Sequence, residues 1–479
     1  MPHPLTPRRD FIKTGLSVTL AAAALSPFGA VHAAPRGRGL RNGKLRVAKI
    51  ACGGMGGADL KEVAGHPDVE IAFLCDTNGD VLAKAAEAFP KAGKTRDWRE
   101  ILDNHGEAID AVVVSTPDHS HAPPSMAALN LGKHVYTQKP LAHDAFENRM
   151  LAAAAAKQPK LATQMGTQRS ATSERRLGLD LIAGGVLGKV KAIHAWTDRP
   201  AGWWPSGQPR PTGNDPVPAD LNWDGFVGPA PMRPYVKDAY TPFRWRGTRD
   251  YGTGAIGDMA CHILDIVFYG LDLGHPLTVR VDDAPDSTAD QFPNKEVIRM
   301  KFAANAKTAA DGCEMVWYDG GLFPPFASLG VPATLKPGGA KGSGPEGLDP
   351  LPNDGAAILV CEGGVYVQPI QWQDPYAFVD GKLRRFDDRK NDSHQATNHW
   401  HDWVDACLGR GQTRAPFQKA GKLCEALSVG AAASLFVGKD LAYDADNFRF
   451  TSGGQPVAGS EAALKVKPRQ GYAVPGLAF

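Results

Sequence analysis

The chain predicts an α/β protein of two domains. A doubly wound parallel sheet comes first, and an α+β domain with a large, open, mostly antiparallel sheet follows. Three observations carry this reading. Up to Gln168, short apolar runs alternate with strong helix formers. Beyond it, strand-like runs succeed one another with few helices between. A glycine-rich turn joins the first apolar run to the first helix.

The runs of the first domain (45–168) are LRVAKIA (45–51), VEIAFLCD (69–76), AIDAVVVST (108–116), HVYTQKP (134–140) and LATQMG (161–166). They are near-continuously apolar, as strands covered on both faces should be. ADLKEVAGH, GDVLAKAAEAF, SMAALNLG and FENRMLAAAAAK lie between them and favour helix. Such a sheet binds ligands at the C-terminal ends of its strands.

The second domain (169–479) opens with a helix from Glu174 to Gly184. VKAIHAWTD, a Trp-, Pro- and Gly-rich loop from Arg199 to Tyr251, and a helix from about Gly257 to Leu271 come next. The strands LTVRVDD, EVIRMKFA, CEMVWYD, AILVCEGGVYV and FVDGKLRRF follow, with a loop insertion at 324–352. One face of this sheet is expected to be free to pack on a partner. Two closing helices, NHWHDWVDACLG and KLCEALSVGAAASLFVG, are available to pack back on the first domain.

A formal net charge of +2, scattered along the chain, leaves no nucleic-acid footprint. The 7 cysteines are odd in number and lack CxxC spacing. They read as buried free thiols rather than a disulfide framework or a zinc site. Residues 1–33 read as a twin-arginine signal peptide. Arg8-Arg9-Asp10-Phe11-Ile12-Lys13 precedes a weakly apolar stretch (14–25), and a small-residue cleavage site follows at Ala33. Residues 34–44 are then a flexible lead-in. Export by this route carries folded protein, which places the chain in the periplasm.

KIACGGMGG (49–57) resembles a dinucleotide-binding turn with Ala51, Gly53 and Gly56 in the three glycine places. Gly54 and Met55 complete it. The turn follows a buried strand and opens a helix, and Asp76 ends the next strand, which is the Rossmann arrangement. Asp76 accepts hydrogen bonds from a ribose diol and repels a 2′-phosphate, which favours NAD over NADP. Ala51 fits the turn only if its φ is negative.

STPDHSHAPPSMAALNLGKHVYTQKPL (115–141) resembles the Gfo/Idh/MocA oxidoreductases, with their TP[ND]xxH loop and a strand ending in EKP. GTGAIGDMACHILD (252–265) resembles the same family's D-x-x-x-H helix. FRFTSG and WTDRPAGWWPSG resemble an exported bacterial branch. The departures are Ala51 for glycine and Gln138 for glutamate. The resemblance implies a Rossmann domain, an open-faced sheet domain, dimers or tetramers through that sheet, and no metal. It also implies hydride transfer between NAD(P) and a sugar or cyclitol hydroxyl. Thr116, Pro117, His121, Gln138 and Lys139 would then lie along the cofactor, with His121 near the nicotinamide ribose.

Moving a hydride from a carbinol needs a proton acceptor and positive charge near the developing oxyanion. The resemblance makes Lys139 the catalytic lysine. Asp258 and His262 are four residues apart, so a helix places them on one face. His262 is the proton acceptor. Asp258 orients it or binds a second hydroxyl. The loop with Trp203, Trp204, Trp223, Arg244, Trp245, Arg246 and Tyr251 offers aromatic faces and charged donors suited to a sugar. Gln168, Arg199, Trp203, Trp204, Arg244, Trp245 and Tyr251 are the expected substrate contacts.

Free nicotinamide nucleotide is scarce outside the cytoplasm, so an exported member must keep its cofactor and restore its redox state in place. Either a second sugar returns the hydride, or a glycoside is oxidised transiently, loses its substituent, adds water and regains the hydride. A sugar oxidoreductase, an NAD-dependent glycosidase and a catalytically silent sugar-binding protein are the three readings. Intact Lys139, Asp258 and His262 count against the third.

Overall fold

The computed structural model describes residues 43–477. The export signal and its cleavage site lie outside the described residues. A six-stranded parallel sheet comes first: β1 (Leu45–Ile50), β2 (Val69–Cys75), β3 (Gly93–Thr95), β4 (Ala111–Val114), β5 (His134–Thr137) and β6 (Thr163–Met165). Its order is β3-β2-β1-β4-β5-β6, so the strand order reverses between β1 and β4. That crevice is where an open parallel sheet takes its ligand. The covering helices are α1 (Met55–Ala64), α2 (Gly79–Ala88), α3 (Trp98–His105), α4 (Ala122–Asn130) and α5 (Ala145–Ala156). The apolar pattern missed β3 and α3. β3 is a polar three-residue edge, and α3 buries only Ile101 and Leu102.

The second sheet has eleven strands: β7 (Val190–Trp196), β8 (Thr278–Asp283), β9 (Val297–Phe302), β10 (Cys313–Tyr318), β11 (Ala356–Cys361), β12 (Gly364–Pro369), β13 (Tyr376–Val379), β14 (Lys382–Arg385), β15 (Leu441–Asp444), β16 (Arg449–Ser452) and β17 (Gln455–Pro456). They run in the order β14-β13-β12-β11-β7-β10-β9-β8-β15-β16-β17. Only the β7–β10 pairing is parallel. The remaining helices are α6 (Ser173–Ala183), α7 (Trp223–Val227), α8 (Cys261–Leu271), α9 (His399–Cys407), α10 (Phe417–Ala433) and α11 (Ser460–Leu464).

α9 and α10 lie on helices of the first sheet. Trp400 Nε1 donates to Asp59 of α1 at 2.8 Å. Gly421 of α10 meets Ala152 of α5 so closely that a Cβ there would stand 2.6 Å from Ala152 Cβ.

The expected free face of the second sheet is narrower than its pattern implies. Val331, Leu335, Leu348 and Leu351 of the Gly/Pro-rich insertion are buried against Trp196, Val316, Ile358, Val367 and Phe378. The insertion thus covers β7 and β10–β13, because those strands are apolar on both sides. β8 and β9 alternate buried with exposed, and keep a polar outer face.

All 7 cysteines are free, and six of them are buried. Among the described residues no group of three His, Cys, Asp or Glu side chains is placed to hold a metal. No helix among them is long and apolar enough to cross a membrane.

Candidate active site

The glycine turn lies between β1 and α1 at the reversal of strand order. Gly56 is fixed by contact, since a Cβ there would stand 2.2 Å from the Ala51 carbonyl oxygen. Gly54 has φ 52. α1 begins with no side-chain cap and no acidic residue in its first turn. α2, α3 and α5, by contrast, are capped by Asn78, Asp97 and Asp144. An uncapped helix start next to a glycine turn suits a pyrophosphate. The Thr116 hydroxyl beside it is buried without a partner. Asp76 caps no helix. Its Oδ2 accepts from Cys52 N at 2.7 Å and its Oδ1 from Asn78 N at 2.9 Å, which aims the carboxylate at the turn. These residues fit a dinucleotide.

Ala51 corrects an expectation. Its φ is +64, not negative. A left-handed alanine costs roughly 1–2 kcal/mol, so something must hold it. Lys49, with a relative exposure of 1%, supplies the hold. Its Nζ donates to Ala51 O at 2.5 Å, Ile50 O at 3.0 Å and Ser115 Oγ at 2.8 Å. Ser115 Oγ donates in turn to Asp59 Oδ2 at 2.5 Å. Burial pushes the Lys49 ammonium down, and the nearby Asp59 carboxylate opposes that. Gln138 Nε2 reaches the same carboxylate at 2.9 and 3.0 Å. A glutamate at 138 would face Asp59 with like charge, so the amide is the complementary choice here. Sequence reasoning missed Lys49 and Asp59. The only signal was a lysine inside an otherwise apolar strand.

Lys139 follows β5. Its Nζ donates to Asp258 Oδ1 at 2.7 Å and to the Asp258 carbonyl at 2.8 Å. Arg199 Nη1 pairs with Asp258 Oδ2 at 2.6 Å, and Arg246 Nε lies 3.3 Å from Oδ1. Burial would raise the Asp258 carboxyl, but Lys139, Arg246 and Arg199 outweigh it and hold it far below the usual carboxylate range. Each arginine rides on an aromatic ring: Arg199 on Trp203 and Arg246 on Phe243, both at 3.9 Å.

Asp258 does not orient His262, because both its oxygens serve cations. The helix also differs from the expected one. Residues Ile256–Ala260 are wound as a π-turn before α8, so the four-residue stacking of an α-helix does not apply to this pair. The His262 ring makes no hydrogen bond among the described residues, and its Nδ1 is buried without a partner. Burial first, then Lys139 and Arg169, push its pKa well below the ordinary value, so the imidazole is neutral. Arg175 of α6 steadies this stretch. It donates to the His262 carbonyl at 2.8 Å and pairs with Asp265, both side chains fully buried. Arg175 also escaped sequence reasoning.

The other expected residues divide. Trp203 is 48% exposed beside the cluster. Trp204 is buried with its Nε1 unpartnered. Trp245 and Tyr251 are core residues, packed with Trp223, Phe226 and Tyr240. An aromatic-rich loop this long must bury rings of its own. Arg244 is exposed, and its neighbour Arg246 takes the place at Asp258. Gln168 donates to the Tyr136 hydroxyl at 3.0 Å. His121 has no nitrogen facing outward. Nδ1 meets Pro140 O at 2.7 Å and Nε2 meets Thr116 O at 2.8 Å, which ties the loop after β4 to the lysine segment. Burial lowers its pKa to about 4.

A reversed-order parallel sheet, a glycine turn and a lysine paired to an aspartate define a nicotinamide-dinucleotide-binding α/β protein. Residues 45–166 match the oxidoreductase family with an NAD-binding Rossmann fold, and residues 195–321 match that family's C-terminal α/β domain. The chain belongs to this Gfo/Idh/MocA oxidoreductase family, and its first domain is an NAD-binding Rossmann domain.

It is 36% identical over 136 residues to a glycosyl hydrolase family 109 protein of Stenotrophomonas maltophilia, covering 26% of this chain and 28% of that protein. It is 25% identical over 197 residues to levoglucosan dehydrogenase of Pseudarthrobacter phenanthrenivorans, covering 41% of each. The chain thus spans less than half the length of these two relatives. Its fold is similar to that of the WlbA dehydrogenase of Chromobacterium violaceum, solved with NADH and UDP-GlcNAcA. The TM-score is 0.57 at 16% identity, over 84% of this chain and 97% of that one.

Proposed function

We propose that the protein is an NAD-dependent oxidoreductase acting on a CH–OH group of a sugar or cyclitol. It is exported folded by the twin-arginine route to the periplasm and keeps its nucleotide. The observation that carries this reading is Lys139, 2.7 Å from Asp258 at the ligand-binding end of the parallel sheet. The sugar-acting names of its relatives support it.

Gly53, Gly54, Gly56 and the start of α1 hold the pyrophosphate, and Asp76 takes the ribose diol. When bound, NAD supplies the acceptor for the hydride. Asp258 aims Lys139, and the lysine Nζ stabilises the substrate oxygen as it gains charge. His262, held neutral, takes the hydroxyl proton; a well-placed base contributes on the order of 10²–10⁴ in rate. Trp203 offers an apolar face beside Arg199. Dimers or tetramers form through the uncovered outer face of β8 and β9.

Mass spectrometry of nucleotide released from the purified protein tests the retained cofactor. A panel of free sugars and glycosides then tests the chemistry. NAD in the protein and sugar-dependent formation of reduced nicotinamide are expected. Protein that carries no nucleotide and binds none contradicts the proposal.

The 36% identity to a glycosyl hydrolase favours a second reading. In it the sugar hydroxyl is oxidised only transiently and a glycosidic substituent is lost. Release of that substituent without net reduction separates the two.

A further inference from the structure

We propose that Trp372 is the platform of an outer subsite, which stacks a second ring attached to the sugar that reacts. This rests on the carbohydrate reading above and deepens it: the substrate is a glycoside of at least two rings. The shared chemistry is a flat face, from either a second sugar or an aromatic aglycone.

Trp372 lies in the loop between β12 and β13. It exposes 85% of its surface, more than any other large apolar side chain among the described residues. Its φ is 65, in the left-handed region that bulky residues avoid. Glycine or asparagine would sit there with less strain. An exposed tryptophan kept in a costly backbone conformation points to use of its face.

The loop is anchored at and just before Trp372. Ile370 is fully buried. Gln371 Nε2 donates to Asp354 Oδ2 at 3.1 Å, and Trp372 N donates to Glu174 Oε1 at 3.4 Å. Asp354 leads back to the site. Its Oδ2 stands 3.8 Å from Arg169 Nη1, and its carbonyl accepts from Thr197 Oγ1 at 3.2 Å. Thr197 is two residues from Arg199, which pairs with Asp258.

Open valences mark the same route. Arg169 Nη1 and Asp198 Oδ1 are buried with no hydrogen-bond partner. Buried polar atoms are ordinarily satisfied, so two open ones beside Asp354 suit a polar ligand. Sugar hydroxyls supply both donors and acceptors, and the C–H face of a ring suits indole. The string of polar groups thus runs from Asp258 to the foot of an exposed aromatic platform.

The test uses the full chain as wild type, Trp372→Ala and Trp372→Phe. Free hexoses, the matching disaccharides and the matching para-nitrophenyl glycosides are the probes. Turnover is followed where it occurs, and binding is measured by calorimetry for every probe. Trp372→Ala is expected to weaken KM or Kd for two-ring probes about tenfold more than for hexoses, the scale of one lost aromatic contact. Trp372→Phe should retain most of the affinity. A larger loss for disaccharides identifies a second sugar, and a larger loss for aryl glycosides identifies an aglycone. Equal changes for one- and two-ring probes overturn the subsite while leaving the oxidoreductase reading intact. So does a change in molecular mass on sizing, which would make Trp372 a contact between copies. Tight two-ring binding with no redox turnover would overturn the oxidoreductase reading and leave the subsite standing.

Discussion

Beneath the dinucleotide turn, Lys49, Asp59, Ser115 and Gln138 are all bonded to one another or to backbone. Around Asp258, Arg169, Asp198, Arg199, Trp204, Ser206 and His262 each keep a buried polar atom without a partner. Those four side chains are satisfied within the protein, and the Thr116 hydroxyl beside the turn is open. The second region offers several open polar atoms with which a polar ligand can pair. The turn is held by its own side chains, whereas the Asp258 side presents open polar atoms to a ligand.

Substitutions break or sharpen this contrast. Lys49→Met leaves Ala51 O and Ile50 O without their donor and the buried Asp59 carboxylate without its nearby cation, and should cost about 3–5 kcal/mol, read by urea unfolding. Adding Asp59→Asn should recover part of that loss. If Lys49→Met proves neutral, the turn does not depend on the buried lysine. Gly56→Ala presses a methyl on Ala51 O and should cost about 1–3 kcal/mol, with weaker NAD binding by calorimetry. Ala51→Gly should act in the opposite direction, raising stability by roughly 1 kcal/mol as the positive φ loses its penalty. A fall in melting temperature would show that the alanine is not strained.

The pH response sharpens the other region. His262 is depressed, so its neutral form persists below the ordinary titration near pH 6.5. The acid limb of kcat/KM should therefore lie below that value, and a limb at 6.5 would show an exposed, unperturbed imidazole. Asp258 is also depressed. Its ion pairs contribute above the ordinary carboxylate range and are lost only as pH falls well below it.

The parallel sheet, the turn and Lys139 were legible because each is local: a buried run, a glycine spacing, a strand end. The hold on Ala51 was not, since its members come from β1, α1 and the ends of β4 and β5 and share no spacing. The π-turn that separates Asp258 from His262 leaves no mark in a D-x-x-x-H string. Nor does any periodicity in a loop tell Arg244 from Arg246, although only the second reaches Asp258. The insertion at 324–352 looked like loop by its glycines and prolines. Four buried aliphatic side chains make it the cover of a sheet face.

Lys139→Ala offers the most direct measurement, with turnover and NAD affinity read on the same preparation. The expected result is a fall in kcat of about 10²–10³, the scale of one lost oxyanion donor, with NAD binding retained. Unchanged turnover would contradict the assignment of Lys139 and, with it, the proposed site.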